Sequence, residues 1–511
     1  MYPGKYAAET PEKVAALLAD TGEELTYGDL EDRSVRLAHV FHDAGLRPGD
    51  VVALLTENNL RAFEVYWAAM RSGLYVTAVN HNLAPDEVTY IANDSGAAAL
   101  VVSQAKAELA TAVDRAGVGA RLKLAFGGPV EGYASYEDAL AQASAEPFDD
   151  QPQGAPMLYS SGTTGRPKGV RPPLPPVQVD QIGDPLVGLV GQAFGIGPDT
   201  RYLTPAPLYH AAPLRWSGAV MAHGGTVVML RKYDSEAALQ VIQDQRITHG
   251  QFVPTMFVRM LQLPENVRAG YDVASLRVAV HAAAPCPVDV KQAMIDWWGP
   301  ILVEYYAGTE GNGMTMIDSR TWLSKPGSVG RAVVGTLHIC DDEGKEAATG
   351  EVGTVFVERE TTPFLYHNDP EKTREAQHPE HANWTTLGDI GYVDEEGFLF
   401  LTDRKSFTII SGGVNIYPQE IENVLALHPA ILDVGVIGVP DPEMGESVKA
   451  FVQPRPGVET SPELEQEIIA FVKSKIAHFK APRSVQFVDD LPRTETGKLV
   501  KGDLKKKYVT A

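Results

Sequence analysis

Tyr159-Ser160-Ser161-Gly162-Thr163-Thr164-Gly165-Arg166-Pro167-Lys168-Gly169-Val170 is the stretch whose reading decides the fold. Its three glycines let the backbone turn tightly and bring N–H groups close to a bound anion. The hydroxyls of Ser160, Ser161, Thr163 and Thr164 add donors, and Lys168 adds a mobile cation. Met157-Leu158-Tyr159 just before it reads as the end of a buried strand, which anchors the loop on one side. By composition this is a triphosphate-binding loop. It departs from the P-loop pattern G-x-x-x-x-G-K-[ST], because Lys168 stands between Pro167 and Gly169 and no hydroxyl follows it.

A chain of 511 residues is too long for one ordinary core and calls for a large domain with a smaller one. Apolar residues make up 44%, as in soluble globular proteins. The N-terminus has no apolar signal segment, and no apolar run approaches ~18 residues. Only Cys286 and Cys340 are present, far apart, so a disulfide framework is not expected and a cytoplasmic location is. The net charge of −22 is unevenly placed. From Arg404 onward 14 acidic residues balance 14 basic ones, so the part before it carries the whole excess. Such an acidic body repels a nucleic-acid backbone and disfavours that class of partner, so no nucleic-acid partner is expected.

Outward from the loop, short apolar runs alternate with amphipathic stretches. Residues 51–55, 75–79 and 97–102 read as strands, with helices over 60–70 and 85–93, which is the rhythm of a parallel sheet covered by helices. The polar segment 131–156 reads as a loop leading into the phosphate strand. Arg171-Pro172-Pro173-Leu174-Pro175-Pro176 cannot be helix or central strand and reads as a stiff exposed excursion. Strands recur at 201–205, 226–230, 249–253, 276–281 and 301–306, doubling the first set. Between 325 and 400 strands shorten and glycines multiply, as in a small antiparallel sheet or barrel. A boundary falls at Asp403-Arg404-Lys405-Ser406. Beyond it come a strand at 407–410, a Gly412-Gly413 turn, a helix at 418–427, strands at 434–439 and 448–452, a helix at 463–476 and a strand at 485–488. The fold class is therefore α/β. A large N-terminal domain, 1–402, holds two packed sheets with helices and a small barrel-like part, and a small α+β module, 403–511, follows.

Ser160-Ser161-Gly162-Thr163-Thr164-Gly165-Arg166-Pro167-Lys168-Gly169 resembles the phosphate loop of the adenylate-forming superfamily, which holds acyl- and aryl-CoA synthetases, adenylation domains and beetle luciferases. The resemblance extends over essentially the whole chain. It implies that Tyr305-Tyr306-Ala307-Gly308-Thr309-Glu310-Gly311 ends a strand where ligands sit in an open α/β sheet. Tyr306 offers a face for adenine, Thr309 a donor to phosphate, and Glu310 a hard oxygen ligand for Mg²⁺ on ATP. Ala307 replaces the family's usual glycine where the acid's carboxylate approaches, and Ala282-Ala283-Ala284-Pro285 resembles the small-residue turn beside adenine, with Ala283 as a contact. Asp389, after Leu387-Gly388, takes the two ribose hydroxyls, although the family more often has Thr before the Gly-Asp pair. Arg404 bonds ribose or phosphate oxygens through its planar fork. Ser406 stands at the hinge position, where Lys or Asp is usual, and Ser411-Gly412-Gly413 forms the turn bordering the CoA pantetheine channel.

Pro492-Arg493-Thr494-Glu495-Thr496-Gly497-Lys498 resembles the element that carries the adenylation lysine. A carboxylate attacking an α-phosphate brings like charges together, and a cation between them favours the transition state over the ground state. Lys498 has that role, with Thr309 and Glu310 completing the phosphate and metal contacts. His210, in Pro207-Leu208-Tyr209-His210-Ala211-Ala212, borders the acyl pocket and joins the catalytic set by packing and gating, since a carboxylate nucleophile needs no general base at neutral pH. His223, His249 and His281 lack metal-ligand spacing.

The expected activity is an ATP- and Mg²⁺-dependent acid–CoA ligase working through an acyl-adenylate, with ATP, CoA and a small carboxylic acid as partners and no bar to a homo-oligomer. Small residues at Ala211, Ala212, Ala282, Ala283, Ala307, Gly308, Gly311 and Gly313 argue for a roomy apolar pocket and a bulky hydrophobic acid: fatty, aryl-propenoic or steroid-like. Three rivals stay open: a stand-alone adenylation enzyme loading a carrier-protein thiol, a luciferase-like oxygenase, and a non-catalytic nucleotide-binding protein.

Overall fold

A computed structural model describes residues 2–160, 167–494 and 498–509. The chain forms two compact units. The first comprises Met1–Gln251, Tyr271–Val278 and Phe364–Pro370, and the second Phe252–Gly270, Ala279–Pro363 and Glu371–Ala511.

In the first unit, the strands Val51–Leu55, Tyr75–Val79, Ala97–Ser103 and Leu122–Phe126 lie parallel in a six-stranded sheet. The first three are buried along their whole length, as continuous Val/Leu/Ala runs require when helices cover both faces. Helices Arg61–Met70 and Pro85–Asp94 follow the first two strands, matching the alternation read from the sequence. The strands Val14–Leu18, Arg201–Thr204, Thr226–Met229 and His249–Phe252 pair in parallel in a further sheet. Two expectations need correction. Segment 131–156 is not all loop, because Ser135 accepts from the Asp138 N–H and starts a helix over Tyr136–Gln142. The proline-rich run is mostly half-buried, with only Pro173 and Pro176 exposed. Leu174 packs on the core of the six-stranded sheet, and the Tyr75 hydroxyl donates to the Pro172 carbonyl at 2.7 Å.

In the second unit, Val278–His281 and Leu302–Ala307 run parallel, and Met314–Asp318 and Arg331–Val334 extend them antiparallel. The glycine-rich region forms a four-stranded antiparallel sheet of Thr336–Cys340, Gly353–Glu358, Trp384–Val393 and Leu399–Arg404. The C-terminal part folds a sheet of Ile409–Ser411, Val414–Ile416, Ile431–Asp441, Gly445–Pro454 and Ser484–Phe487 against helices Pro418–Leu425 and Pro462–Lys475. The strand expected at 407–410 starts later, at Ile409, after a short 3₁₀ turn over Lys405–Phe407. Among the described residues, no helix is long and apolar enough to cross a membrane.

Candidate active site

Asp389 is the centre of the site in the second unit. Thr386 accepts from the Gly388 N–H at 3.0 Å, and Gly388 turns with φ +80°, which delivers a buried carboxylate to the strand. Arg404 lies directly opposite on the neighbouring antiparallel strand, and its Nε donates to Asp389 Oδ1 at 3.0 Å. The Tyr306 hydroxyl, from the end of Leu302–Ala307, donates to Asp389 Oδ2 at 2.7 Å. The sequence suggests a use for the Tyr306 ring face, and the structure adds one for its hydroxyl. Burial, together with the Asp389 carboxylate, drives the Tyr306 phenol well above its ordinary range, so it stays a donor.

Lys498 is coupled to this group electrostatically, through Arg404, Asp389 and Glu310. Its loop is closed by the Thr494 N–H donating to the Lys498 carbonyl at 2.9 Å and by the Lys498 N–H donating to Thr494 Oγ1 at 3.1 Å. Arg493 grips Asp433 with two bonds of 2.6 and 2.7 Å, anchoring the same segment. The ammonium is half-buried. Burial and the Arg404 guanidinium pull its pKa down to about 8, while the carboxylates of Asp389 and Glu310 act the other way. A cation within the field of two carboxylates and a guanidinium suits a ribose-phosphate, since a nucleotide adds negative charge that holds the lysine protonated.

Thr309 and Glu310 sit half-buried in a turn closed by the Gly311 N–H donating to the Gly308 carbonyl. A Cβ on Gly308 would lie 2.6 Å from Leu387 Cδ1. Leu387, where the family more often has threonine, therefore fills the space over Gly308. Gly313 likewise has no room for a Cβ against Val357. These two glycines are small because their neighbours are close, and they lend nothing to the roomy-pocket expectation. Ala307 is half-buried at the strand end, paired with Met314. Ala283 is exposed and holds φ +74°, a left-handed conformation that costs an alanine about 1–2 kcal/mol.

Arg404 leads into the 3₁₀ turn, where Ser406 is exposed. Asp403 Oδ2 accepts from the Gln419 N–H at 3.0 Å, tying the start of the next helix to this junction. Ser411 is buried and precedes Gly412 and Gly413, whose φ values of +56° and +79° make the tight two-residue hairpin turn expected from the sequence.

In the first unit, Leu158–Ser160 and Lys168–Arg171 form an antiparallel hairpin in which Lys168 faces Ser160. Ser161, Gly162, Thr163, Thr164 and Gly165 lie outside the described residues, and Ser160 is described by its backbone alone. Lys168 Nζ lies 5.4 Å from the Tyr366 ring centroid. His210 stands at the start of helix Ala211–Ala222, half-buried, 4.4 Å ring to ring from Tyr209. His223 and His249 bond the carbonyls of Val187 and Phe194. His281 is fully buried in the second unit, against Phe257 and 3.8 Å from Glu304, whose carboxylate accepts from the buried Lys291 at 2.6 Å. Arg493, Lys291 and Glu304 went unassigned in the sequence. Arg493 was legible within the lysine motif, whereas the Lys291–Glu304 pair has no local signal.

With this geometry in place, two family models match in chain order. The one described as AMP-binding enzyme covers residues 5–363, and the one described as AMP-binding enzyme C-terminal domain covers 420–498. The chain belongs to the AMP-binding enzyme family. This AMP-binding enzyme is 32% identical to a feruloyl-CoA synthase of Amycolatopsis sp, over 99% of this chain and 98% of the relative. It is 30% identical to a long-chain-fatty-acid–CoA ligase of Mycobacterium tuberculosis, over 98% and 97%. Its fold is similar to the crystal structure of ATP-bound MatB from Rhodopseudomonas palustris, with a TM-score of 0.82, 29% identity and 99% of both chains covered.

Proposed function

We propose that this AMP-binding enzyme is an acid–CoA ligase that makes an acyl-adenylate from a carboxylic acid and ATP, then an acyl-CoA. One observation carries the reading: Tyr306 and Arg404 both donate to the buried Asp389, and the Lys498 ammonium lies within the field of that carboxylate and of the Arg404 guanidinium. A carboxylate has about four lone-pair sites, and among the described residues two donors, Tyr306 and Arg404, use two. One site per oxygen is left for the two ribose hydroxyls.

Lys498 then stands where the acid's carboxylate meets the α-phosphate. The carboxylate oxygen bonds to phosphorus, the bond to pyrophosphate breaks, and the ammonium neutralises charge that peaks in the transition state. Thr309 donates to phosphate. Among the described residues no cluster of three or more His, Cys, Asp or Glu side chains is placed to hold a metal. A single carboxylate with phosphate oxygens suits Mg²⁺, which keeps several waters. Glu310 would hold the ion, which supplies charge neutralisation at the phosphates. Residues 160–165 and Lys168 take the triphosphate, Ala283 and Tyr306 border the adenine, and His210 packs beside the acyl group.

We assign 1–402 to adenylation and 403–511 to a lid that turns at Ser406. In the second step the Ser411-Gly412-Gly413 turn borders CoA, whose thiol attacks the carbonyl and releases AMP. The acid we propose is hydrophobic and larger than acetate, in keeping with the feruloyl and long-chain relatives, and the location cytoplasmic. AMP release with CoA across acids graded in length and width tests this. Turnover with fatty or aryl-propenoic acids supports it, and strong preference for acetate overturns the substrate class. Transfer to a carrier protein without CoA-dependence overturns the acceptor.

A further inference from the structure

The segment Phe364–Pro370 lies outside both matched family models, and it belongs to the first unit, whereas its sequence neighbours on either side belong to the second. It contributes the two-residue strand Leu365–Tyr366, which pairs antiparallel with Lys168–Arg171, placing Tyr366 opposite Val170. The His367 N–H donates to the Gly169 carbonyl at 2.8 Å and extends that pairing toward the loop. Side chains two apart on a strand share a face, so Lys168 is the diagonal neighbour of Tyr366. Its Nζ stands 5.4 Å from the ring centroid, within the range of cation–π attraction. The ring in turn packs edge-on against the buried Phe364, with centroids 5.2 Å apart.

The other strand of the hairpin is held from the same segment. The Tyr159 hydroxyl donates to Asp94 Oδ2 at 2.6 Å. Asn368, in the left-handed region at φ +56°, donates to the Asp94 carbonyl at 3.2 Å. A single short excursion thus braces both strands that carry the loop and presents an aromatic face to its lysine.

We propose that Tyr366 is a positioning residue for ATP binding: its ring holds the Lys168 ammonium at the mouth of the hairpin, so that the cation meets the β- and γ-phosphates without first being ordered. This rests on the ATP-dependent reading above. The side-chain entropy of a free lysine is lost before ATP arrives, and the ring offsets that cost.

The test is equilibrium binding of ATP and of AMP to the full-length chain. Tyr366→Leu should weaken ATP by about 2- to 5-fold, the size of a partly exposed cation–π contact, and leave AMP, which lacks the β- and γ-phosphates, unaffected. Tyr366→Phe keeps the ring and should restore ATP affinity. In a Lys168→Met background, Tyr366→Leu should have no further effect on ATP. Equal weakening of ATP and AMP, or the same loss with and without Lys168, would show that the ring only supports the fold and overturns the inference. Failure of the unsubstituted chain to bind ATP at all would instead overturn the functional reading on which it rests.

Discussion

Replacing Asp389 by Asn tests the ribose clamp quantitatively. In the free protein Asp389 Oδ2 accepts from Tyr306 at 2.7 Å and Oδ1 from Arg404 Nε at 3.0 Å. The remaining lone pairs, one per oxygen, match the 2′- and 3′-hydroxyls of a ribose. A hydrogen bond to a charged acceptor contributes about 1.5–3 kcal/mol. ATP should therefore bind the unsubstituted protein about 10- to 150-fold more tightly than 2′-deoxy-ATP. Asn keeps one acceptor oxygen, which must stay on Arg404 because the guanidinium can only donate, and turns its NH₂ toward Tyr306. One neutral acceptor site is left for the ribose. The gap between ATP and 2′-deoxy-ATP should shrink to about 2- to 12-fold, the range of a neutral bond of about 0.5–1.5 kcal/mol. Titration calorimetry with both nucleotides on both proteins reads all four affinities. Equal binding of the two nucleotides by the unsubstituted protein, or an undiminished gap in Asp389→Asn, would refute the reasoning.

The Lys498 ammonium, with its pKa pulled down to about 8, is the active form, so kcat/KM for ATP should fall as pH rises through about 8; Lys498→Arg, charged throughout, should show a residual rate without that limb. Persistence of the limb in Lys498→Arg would assign it to another group. Ala283→Gly should relieve the φ +74° strain and, net of the extra freedom of an unfolded glycine, stabilise by up to about 1 kcal/mol in urea unfolding. A lower urea midpoint would mean that the alanine methyl matters more than the backbone. Lys291→Met strands the buried Glu304 carboxylate and should cost about 3–5 kcal/mol, most of it recovered when Glu304→Leu is added. No recovery in the double variant would mean that the pair contributes specific packing beyond its charge.

The parallel strands of the first unit were legible because Val51-Val52-Ala53-Leu54-Leu55 and its companions are apolar at every position, a pattern only a doubly covered sheet accommodates. The Gly412-Gly413 turn was legible because two successive positive φ values leave few alternatives to glycine. The site residues near Asp389 were legible one by one through local motifs, but their mutual bonds were not. Tyr306 and Asp389 are 83 positions apart, and nothing local states that a phenol will donate to that carboxylate. The same holds for Tyr366 beside Lys168 and for Lys291 beneath Glu304, which are brought together by strand register and helix packing. Gly308 and Gly313 read as pocket lining because sequence reports only their size. Their neighbours Leu387 and Val357 decide that the space is already filled. The helix over Tyr136–Gln142 is not legible because a polar segment with Pro and Gly at its ends outweighs the Ser135 cap.

The most direct measurement is acid-dependent ATP–pyrophosphate exchange by Lys498→Ala, paired with ATP binding to the same protein. If the lysine supplies the charge that lets a carboxylate reach an α-phosphate, exchange should fall by about 10²–10³-fold while ATP affinity stays within a few-fold of the unsubstituted protein. Exchange at an unchanged rate with ATP still bound would contradict the account.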